Sequence, residues 1–275
     1  MSTVLLTGAT GFVGQSLLNE LGSRGHSVRA VVRPGREHLV EGHPAVASII
    51  VTPSLFHEDE SWWQSAAAGV DTVIHAAWYA EPGKYPHAAE NLDCLSGTIA
   101  MARGCLTAGV RRFAGIGTCF EYDLSYGDLS IETPLKPGVL YAAAKASTYL
   151  CLSNWLPKAG MEFLWCRLFY LYGPGEDERR LVPYLRSRLA AGETADLSSG
   201  LQVRDFLDVR DAAVQIADAA FGTVTGPVNI CSGVPITVRD LALGIAAEYG
   251  RPDLLNFGAR PDNPVDPPRV VGIRP

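Results

Sequence analysis

Tyr141 and Lys145, four residues apart in Tyr-Ala-Ala-Ala-Lys, are the pair whose types and spacing point most directly to chemistry. On a helix they share one face, with Cβ atoms about 5–6 Å apart. An ammonium at that distance favours phenolate over phenol and draws a tyrosine pKa down from about 10. A phenol tuned in this way passes a proton to or from a carbonyl or alcohol oxygen. With ten tyrosines and four lysines in the chain, chance supplies about 0.15 such pairs, so the pair gains weight from its company. That company is Thr118, 23 residues upstream, and the glycine-rich start Thr7-Gly8-Ala9-Thr10-Gly11-Phe12-Val13-Gly14.

The elements that must position these residues can be read outward from the start. Residues 3–6 are a short apolar run, glycines follow at 8, 11 and 14, and Phe12, Val13, Leu17, Leu18 and Leu21 then recur at helical spacing. Strand, tight glycine turn and helix N-terminus form the layout that binds a pyrophosphate. Unpaired N–H groups and the positive helix end face the anion, and glycine lets the backbone approach it. The plainer alternative is a tight strand-to-helix turn built of small residues. A second strand, 27–32, ends at Arg33 where a carboxylate would hold a ribose 2′-hydroxyl. An arginine there accommodates a 2′-phosphate, so the expected cofactor is NADP(H) in preference to NAD(H).

Further apolar strands at 47–51, 72–75, 113–116 and 163–168 alternate with helical patterns at 57–69, 91–108 and 141–156. The alternation predicts an α/β fold with a doubly wound parallel sheet. After Gly173-Pro174-Gly175 the pattern breaks into shorter pieces, with a strand at 228–230 and a helix at 238–249, as expected of a smaller C-terminal lobe. Residues 1–166, with a returning segment near 205–225, are assigned to the dinucleotide-binding domain, and 167–275 mainly to the lobe. The 141–156 helix carries no charge after Lys145 and is apolar around most of its circumference, and 91–108 presents Leu92, Leu95, Ile99 and Leu106. A helix apolar all round is buried on more than one side. The two helices fit a homodimer interface, with tight packing on the sheet as the competing explanation.

Hydrophobic content of 47% and charged content of 19% are globular values. Apolar runs are strand-sized, so no membrane span is expected. A net charge of −6 disfavours nucleic acid, which requires a basic face. The six cysteines form no CxxC pair and the six histidines no ligand spacing, which predicts reduced thiols, a cytoplasmic setting and no metal. No export signal is visible at the N-terminus. Cys119 beside Thr118 is either a reactive thiol or a small core filler.

With these motifs in hand, the chain resembles the extended short-chain dehydrogenase/reductases that act on nucleotide-sugars, the NAD-dependent epimerase/dehydratase family. Further blocks carry the likeness: His75-Ala76-Ala77, the run Arg167 to Pro174 with Leu168 and Tyr170, the run Arg204 to Asp211, and Val228 to Gly233. The resemblance implies a Rossmann-like domain holding NAD(P) and a C-terminal lobe holding a nucleotide-diphosphate sugar. Tyr141 would exchange a proton with the sugar oxygen, Lys145 would grip the nicotinamide ribose, and Thr118 would hydrogen-bond the reacting oxygen. Cofactor contacts would come from Gly8, Gly11, Phe12, Val13, Gly14, Arg33, Ala76, Ala77, Tyr141, Lys145 and Leu168. Thr118, Tyr170, Arg204 and Arg260 would contact the substrate, the two arginines near its diphosphate.

Departures narrow the activity. The 4,6-dehydratases carry an Asp-Glu pair directly after the threonine, where this chain has Cys119 and Phe120. Epimerase-reductases of the GDP-fucose-forming type carry Cys and His where Phe120 and Gly175 stand. UDP-galactose-type 4-epimerases carry Asn at Tyr170 and usually an acidic residue at Arg33. The family commonly continues through another helix beyond Gly272, so the C-terminus is expected to be short or truncated. The resulting expectation is NADPH-dependent reduction of a nucleotide-linked 4-keto-6-deoxyhexose in deoxysugar biosynthesis. The alternatives are a nucleotide-sugar 4-epimerase with tightly bound NAD, reduction of a small ketone, and a non-catalytic NADP-sensing regulator.

Overall fold

The computed structural model describes residues 1–274. Its first half runs β1 (Thr3–Thr7), α1 (Phe12–Ser23), β2 (Ser27–Val32), β3 (Val46–Val51), α2 (Glu60–Ala66), β4 (Thr72–His75), α3 (Glu90–Thr107) and β5 (Arg112–Thr118). Then come β6 (Asp128–Leu129), α4 (Leu140–Trp155), β7 (Glu162–Leu168), β8 (Tyr170–Tyr172), α5 (Leu181–Ala190), β9 (Ala195–Leu197) and β10 (Val203–Asp208). The chain closes with α6 (Val209–Phe221), β11 (Gly226–Ile230), β12 (Pro235–Thr237), α7 (Val238–Glu248), β13 (Leu255–Phe257) and β14 (Arg269–Gly272).

Seven strands form the central sheet in the order β11-β7-β5-β4-β1-β2-β3, and every pairing in it is parallel. Val, Ile and Leu fill these strands because both faces are covered, and runs such as Val4, Leu5 and Leu6 are wholly buried. One face packs on α1 and α6, through Leu17, Leu18, Leu21, Val209, Ala213 and Ile216. The other packs on α2, α3 and α4, where Trp63, Met101, Phe163 and Trp165 are buried. Burying side chains of this size contributes about 1.5–3 kcal/mol each relative to exposure. The sheet takes in Leu168 at the end of β7 and Gly226–Ile230 as β11, with α6 packed on it.

Strand order reverses between β1 and β4, which opens a crevice outside their carboxyl ends. Register brings the motif residues to that edge: Thr7 pairs with His75, His75 with Gly115, and Thr118 with Leu168. A second sheet, β12-β10-β14-β6 with β8 on β10, stands beside the edge. A small lobe closes over α5 and α7 around Leu185, Leu189, Ala242 and Ile245. The helix at 141–156 is more one-sided than its composition implies. Ala142, Lys145, Thr148 and Leu152 are buried, while Ser147, Leu150 and Cys151 face solvent. No helix among the described residues is long and apolar enough to cross a membrane.

Candidate active site

The glycine turn is built by close approach. Gly8 has a φ of 73°, and a Cβ there would lie 2.7 Å from the backbone nitrogen of Ala77. At Gly14 a Cβ would lie 1.9 Å from the carbonyl oxygen of Gly8. Gly11 caps α1 without a side-chain bond, and the first turn of the helix carries no acidic residue. Its leading N–H groups lack intrahelical partners, so the positive end is left for an anion. This cradle fits a dinucleotide pyrophosphate. Phe12, Val13, Ala76 and Leu168 are partly buried and pack against the core that includes α1. Arg33 stands exposed at the end of β2, in a turn where the Arg36 N–H donates to its carbonyl at 3.1 Å.

A directional chain of hydrogen bonds fixes the floor. The Ala77 N–H donates to Thr7 Oγ1 (3.3 Å), whose hydroxyl donates to His75 Nδ1 (2.8 Å). On the other side of the ring, His75 Nε2 meets Thr98 Oγ1 at 3.0 Å, and that hydroxyl donates to the Cys94 carbonyl at 2.6 Å. Both threonine protons are thereby spoken for, and His75 carries its single proton on Nε2. Burial, then the nearby Lys145, push its pKa down to about 3 from 6.5. Unfolding between pH 6.5 and 3 must therefore take up a proton at His75, and stability falls as pH falls through that window. His75→Gln is expected to flatten the pH dependence of urea unfolding between pH 6 and pH 4, by up to about 1.4 kcal/mol per pH unit. An unchanged slope would show that the imidazole does not titrate on unfolding.

Thr118, at the end of β5, and Tyr141 and Lys145, in the first turns of α4, converge in this crevice. Lys145 is buried; its Nζ donates to the Ile116 carbonyl at 2.5 Å and lies 3.7 Å from the centre of the Trp78 ring. Burial lowers its pKa to about 7, opposed by the negative charge of Glu121. Tyr141 packs edge-on to Tyr85 with ring centres 4.8 Å apart. Its backbone N–H donates to the Pro86 carbonyl at 3.0 Å. The phenol pKa is raised, first by burial and then by Tyr85 and Glu121, while a hydrogen bond with Thr118 works the other way. This corrects the expectation of a depressed phenol. Desolvation opposes phenolate, and the ammonium is engaged by Ile116 and Trp78. A phenol held neutral is a proton donor. Cys119 is buried and its thiol is pushed upward by that burial, which makes it a core filler.

Sequence reasoning missed the groups beneath. Glu121 and Arg167 are fully buried and paired, Nε to Oε2 at 2.7 Å. Arg167 also donates to the Tyr122 hydroxyl at 3.0 Å, which donates to Asn229 Oδ1 at 2.7 Å. Trp78 was likewise missed. Its indole N–H donates to buried Asn91 at 2.8 Å, and Asn91 holds the Tyr85 and Ala88 carbonyls. The signal available for Glu121 was the pair Gly115 and Gly117, which leaves room for Trp165 and the Glu121 carboxylate.

Tyr170 and Arg204 line a cavity of about 200 Å³ with Glu176, Arg180, Phe206 and Asp266. Arg204 is buried, lies 5.3 Å from the Tyr170 ring centre and 2.6 Å from Asp266. That contact is out of line for a hydrogen bond, and Nη2 of Arg204 has no bonded partner. Tyr170 links the cavity to the crevice through Phe120, ring centres 6.0 Å apart. Arg260 does not join Arg204 in lining the cavity. It is exposed and donates to the Tyr184 hydroxyl at 3.1 Å.

A doubly wound sheet with a glycine cradle at its switch point and a Thr-Tyr-Lys cluster beside it defines a dinucleotide-dependent enzyme class. Residues 4–229 match the model of the NAD dependent epimerase/dehydratase family, and the chain belongs to that family. It is 23% identical to the dTDP-6-deoxy-L-talose 4-dehydrogenase (NAD(+)) of Aggregatibacter actinomycetemcomitans, over 98% of this chain and 99% of that one. It is 26% identical to the dTDP-4-dehydro-6-deoxy-D-allose reductase of Streptomyces bikiniensis, over 98% and 86% of the two chains. Among solved structures, the UDP-N-acetylglucosamine 4-epimerase of Methanobrevibacter ruminantium superposes with a TM-score of 0.83 at 21% identity, over 99% and 89%. This last likeness is one of fold.

Proposed function

We propose that the protein reduces the 4-keto group of a nucleotide-diphospho-4-keto-6-deoxyhexose with NADPH. The observation that carries this reading is Tyr141 beside Thr118 with no free carboxylate next to them. The two positions after Thr118 hold a buried thiol and Phe120, and the nearby acid, Glu121, is locked in its pair with Arg167. Such a site donates a proton to a carbonyl oxygen and lacks the acid that water elimination needs. NADPH, when bound, would supply the hydride. Tyr141 gives its proton to the forming alkoxide, Thr118 hydrogen-bonds the same oxygen, and Lys145 holds the ribose and restores the proton. Tyr170 and Arg204 hold the nucleotide-sugar, Arg204 meeting the diphosphate. The relatives named above as 4-dehydrogenase and 4-ketoreductase favour chemistry at carbon 4.

The test is NADPH oxidation against a panel of nucleotide-linked 4-keto-6-deoxysugars, with products identified by NMR. Stoichiometric loss of NADPH is expected. Interconversion of two 4-epimers without added cofactor, by protein carrying tightly bound NAD, would replace the reductase with an epimerase. Arg204→Ala is expected mainly to raise KM, because it removes binding common to ground and transition states.

NADPH is the preferred cofactor because exposed Arg33 ends β2. A charge-assisted contact of about 1.5–3 kcal/mol corresponds to roughly ten- to a hundredfold in affinity. Arg33→Ala should erase most of that preference in parallel titrations with NADPH and NADH, and tighter NADH binding by the unaltered protein would refute it. Two copies pair through α3 and α4, where Leu92 and Leu150 are each about half exposed. Leu150→Glu is expected to yield a monomer in sedimentation.

A further inference from the structure

Glu121 brings a carboxylate into the core immediately behind Thr118, and a buried ion pair is by itself weak ground for stability. Its contacts are specific. Oε1 accepts the backbone N–H of Thr118 at 2.8 Å and the Trp165 indole N–H at 3.0 Å, and Oε2 accepts Arg167 Nε at 2.7 Å. The space is made by Gly117, where a Cβ would lie 2.5 Å from Oε1 and 2.2 Å from the indole nitrogen. The same indole lies 5.9 Å from Lys145 Nζ, ring centre to nitrogen. Lys145 in turn grips the Ile116 carbonyl, one residue before Gly117. Carboxylate and ammonium thus each bond a backbone group of the same strand end, Thr118 N–H and Ile116 C=O.

We infer that Glu121 is a positioning residue for the proton-transfer pair, pinning the Thr118 backbone and supplying the buried negative charge that Lys145 faces past the Trp165 indole. The other groups around Lys145 do not supply that charge. Cys94 of α3 is pushed up to about 11 by burial, and His75 of β4 is neutral with a pKa near 3. Tyr141 on the same helix is held as the phenol, and Trp78 offers only its ring face. Glu121 accordingly works against the desolvation of the ammonium.

The decisive readout needs no substrate, so it stands apart from the reductase reading on which the kinetic arm rests. The chain has four lysines, Lys84, Lys136, Lys145 and Lys158, and full-length protein labelled with ¹³C at lysine Cε reports each one. Lys145→Met identifies the resonance. Lys145 is expected to titrate near neutrality, and Glu121→Gln to lower its midpoint by at least about one pH unit. Should that variant fold poorly, the double variant Glu121→Gln with Arg167→Gln leaves no lone buried charge and should move the midpoint in the same direction by a smaller amount, because the Arg167 cation goes with the carboxylate. Glu121→Asp should return it toward the original value. In kinetics, the pH limb of kcat should shift down by the same amount with KM for the sugar nucleotide little changed. An unmoved Lys145 midpoint in either folded variant overturns the inference. A moved midpoint with no turnover of any sugar nucleotide supports it and counts against the reductase reading alone.

Discussion

Tyr141→Phe is expected to lower turnover by about 10²–10⁴-fold while leaving cofactor affinity nearly intact. The substitution removes one oxygen and keeps the ring, so the packing on Tyr85 and Trp78 survives. What disappears is the proton donor in its protonated state, because burial holds the phenol neutral. Thr118 cannot act as an acid near neutral pH, Cys119 is sealed in the core, and the Lys145 ammonium is engaged by the Ile116 carbonyl and the Trp78 ring. Lys145→Ala should be comparably damaging and should also weaken cofactor binding, since Lys145 is assigned both the ribose and the return of the proton. Single-turnover NADPH oxidation separates the two effects. A Tyr141→Phe protein that kept most of its single-turnover rate would sink the proton-transfer scheme.

The central sheet was legible because its strands are short apolar runs that alternate with helical patterns. Strands expected at 27–32 and 72–75 stand at those residues, and that expected at 113–116 widens to Arg112–Thr118. The C-terminal lobe was less legible for a physical reason. Its strands β9, β12 and β13 are three residues long, too short for alternation to register. Helix α5 is short and buries only Val182, Leu185 and Leu189, with Arg186 and Arg188 among its remaining positions. Helix α6 gives no separate start signal in the sequence because its first residues fall within the Arg204 to Asp211 block. Asp208 in that block is the N-cap that starts it.

Local chemistry in the site was legible where spacing decides it: the glycine turn, and Tyr141 and Lys145 on one helix face. The direction of the phenol shift was not, because it depends on Tyr85 and Glu121 arriving from other elements. Glu121 and Arg167 lie 46 residues apart and meet only because β5 and β7 are neighbours in register. A charged pair at that separation looks in the sequence like two solvated side chains. Arg204 was marked as a substrate contact, yet its ion-pair distance to Asp266 depends on the return of the chain before β14. Arg260 and Arg204 look equivalent as arginines near a diphosphate. The fold separates them, burying one in the cavity wall and leaving the other on Tyr184.

Gly14→Ala is expected to cost cofactor affinity about a hundredfold, and more than Gly11→Ala. The added Cβ at 14 falls 1.9 Å from the Gly8 oxygen, 2.6 Å from its carbon and 2.9 Å from Ala9 Cα. All three are backbone atoms of the turn itself, so no side chain can swing aside. Relief requires α1 to move away from β1, yet Gly8 is pinned on its far side, where its own Cβ position lies 2.7 Å from Ala77 N. Overpacking of this kind costs about 1–3 kcal/mol, and a backbone clash on both sides places it at the upper end. That is roughly a hundredfold in an affinity that depends on the same N–H groups keeping their aim. At Gly11 the added Cβ meets only the Gly8 oxygen, at 3.3 Å, which a shift of a few tenths of an ångström relieves. Calorimetric titration with NADPH beside thermal denaturation of both variants tests the ordering. Near-native binding by Gly14→Ala would mean that the cradle does not hold the pyrophosphate, and would move the dinucleotide off the end of α1.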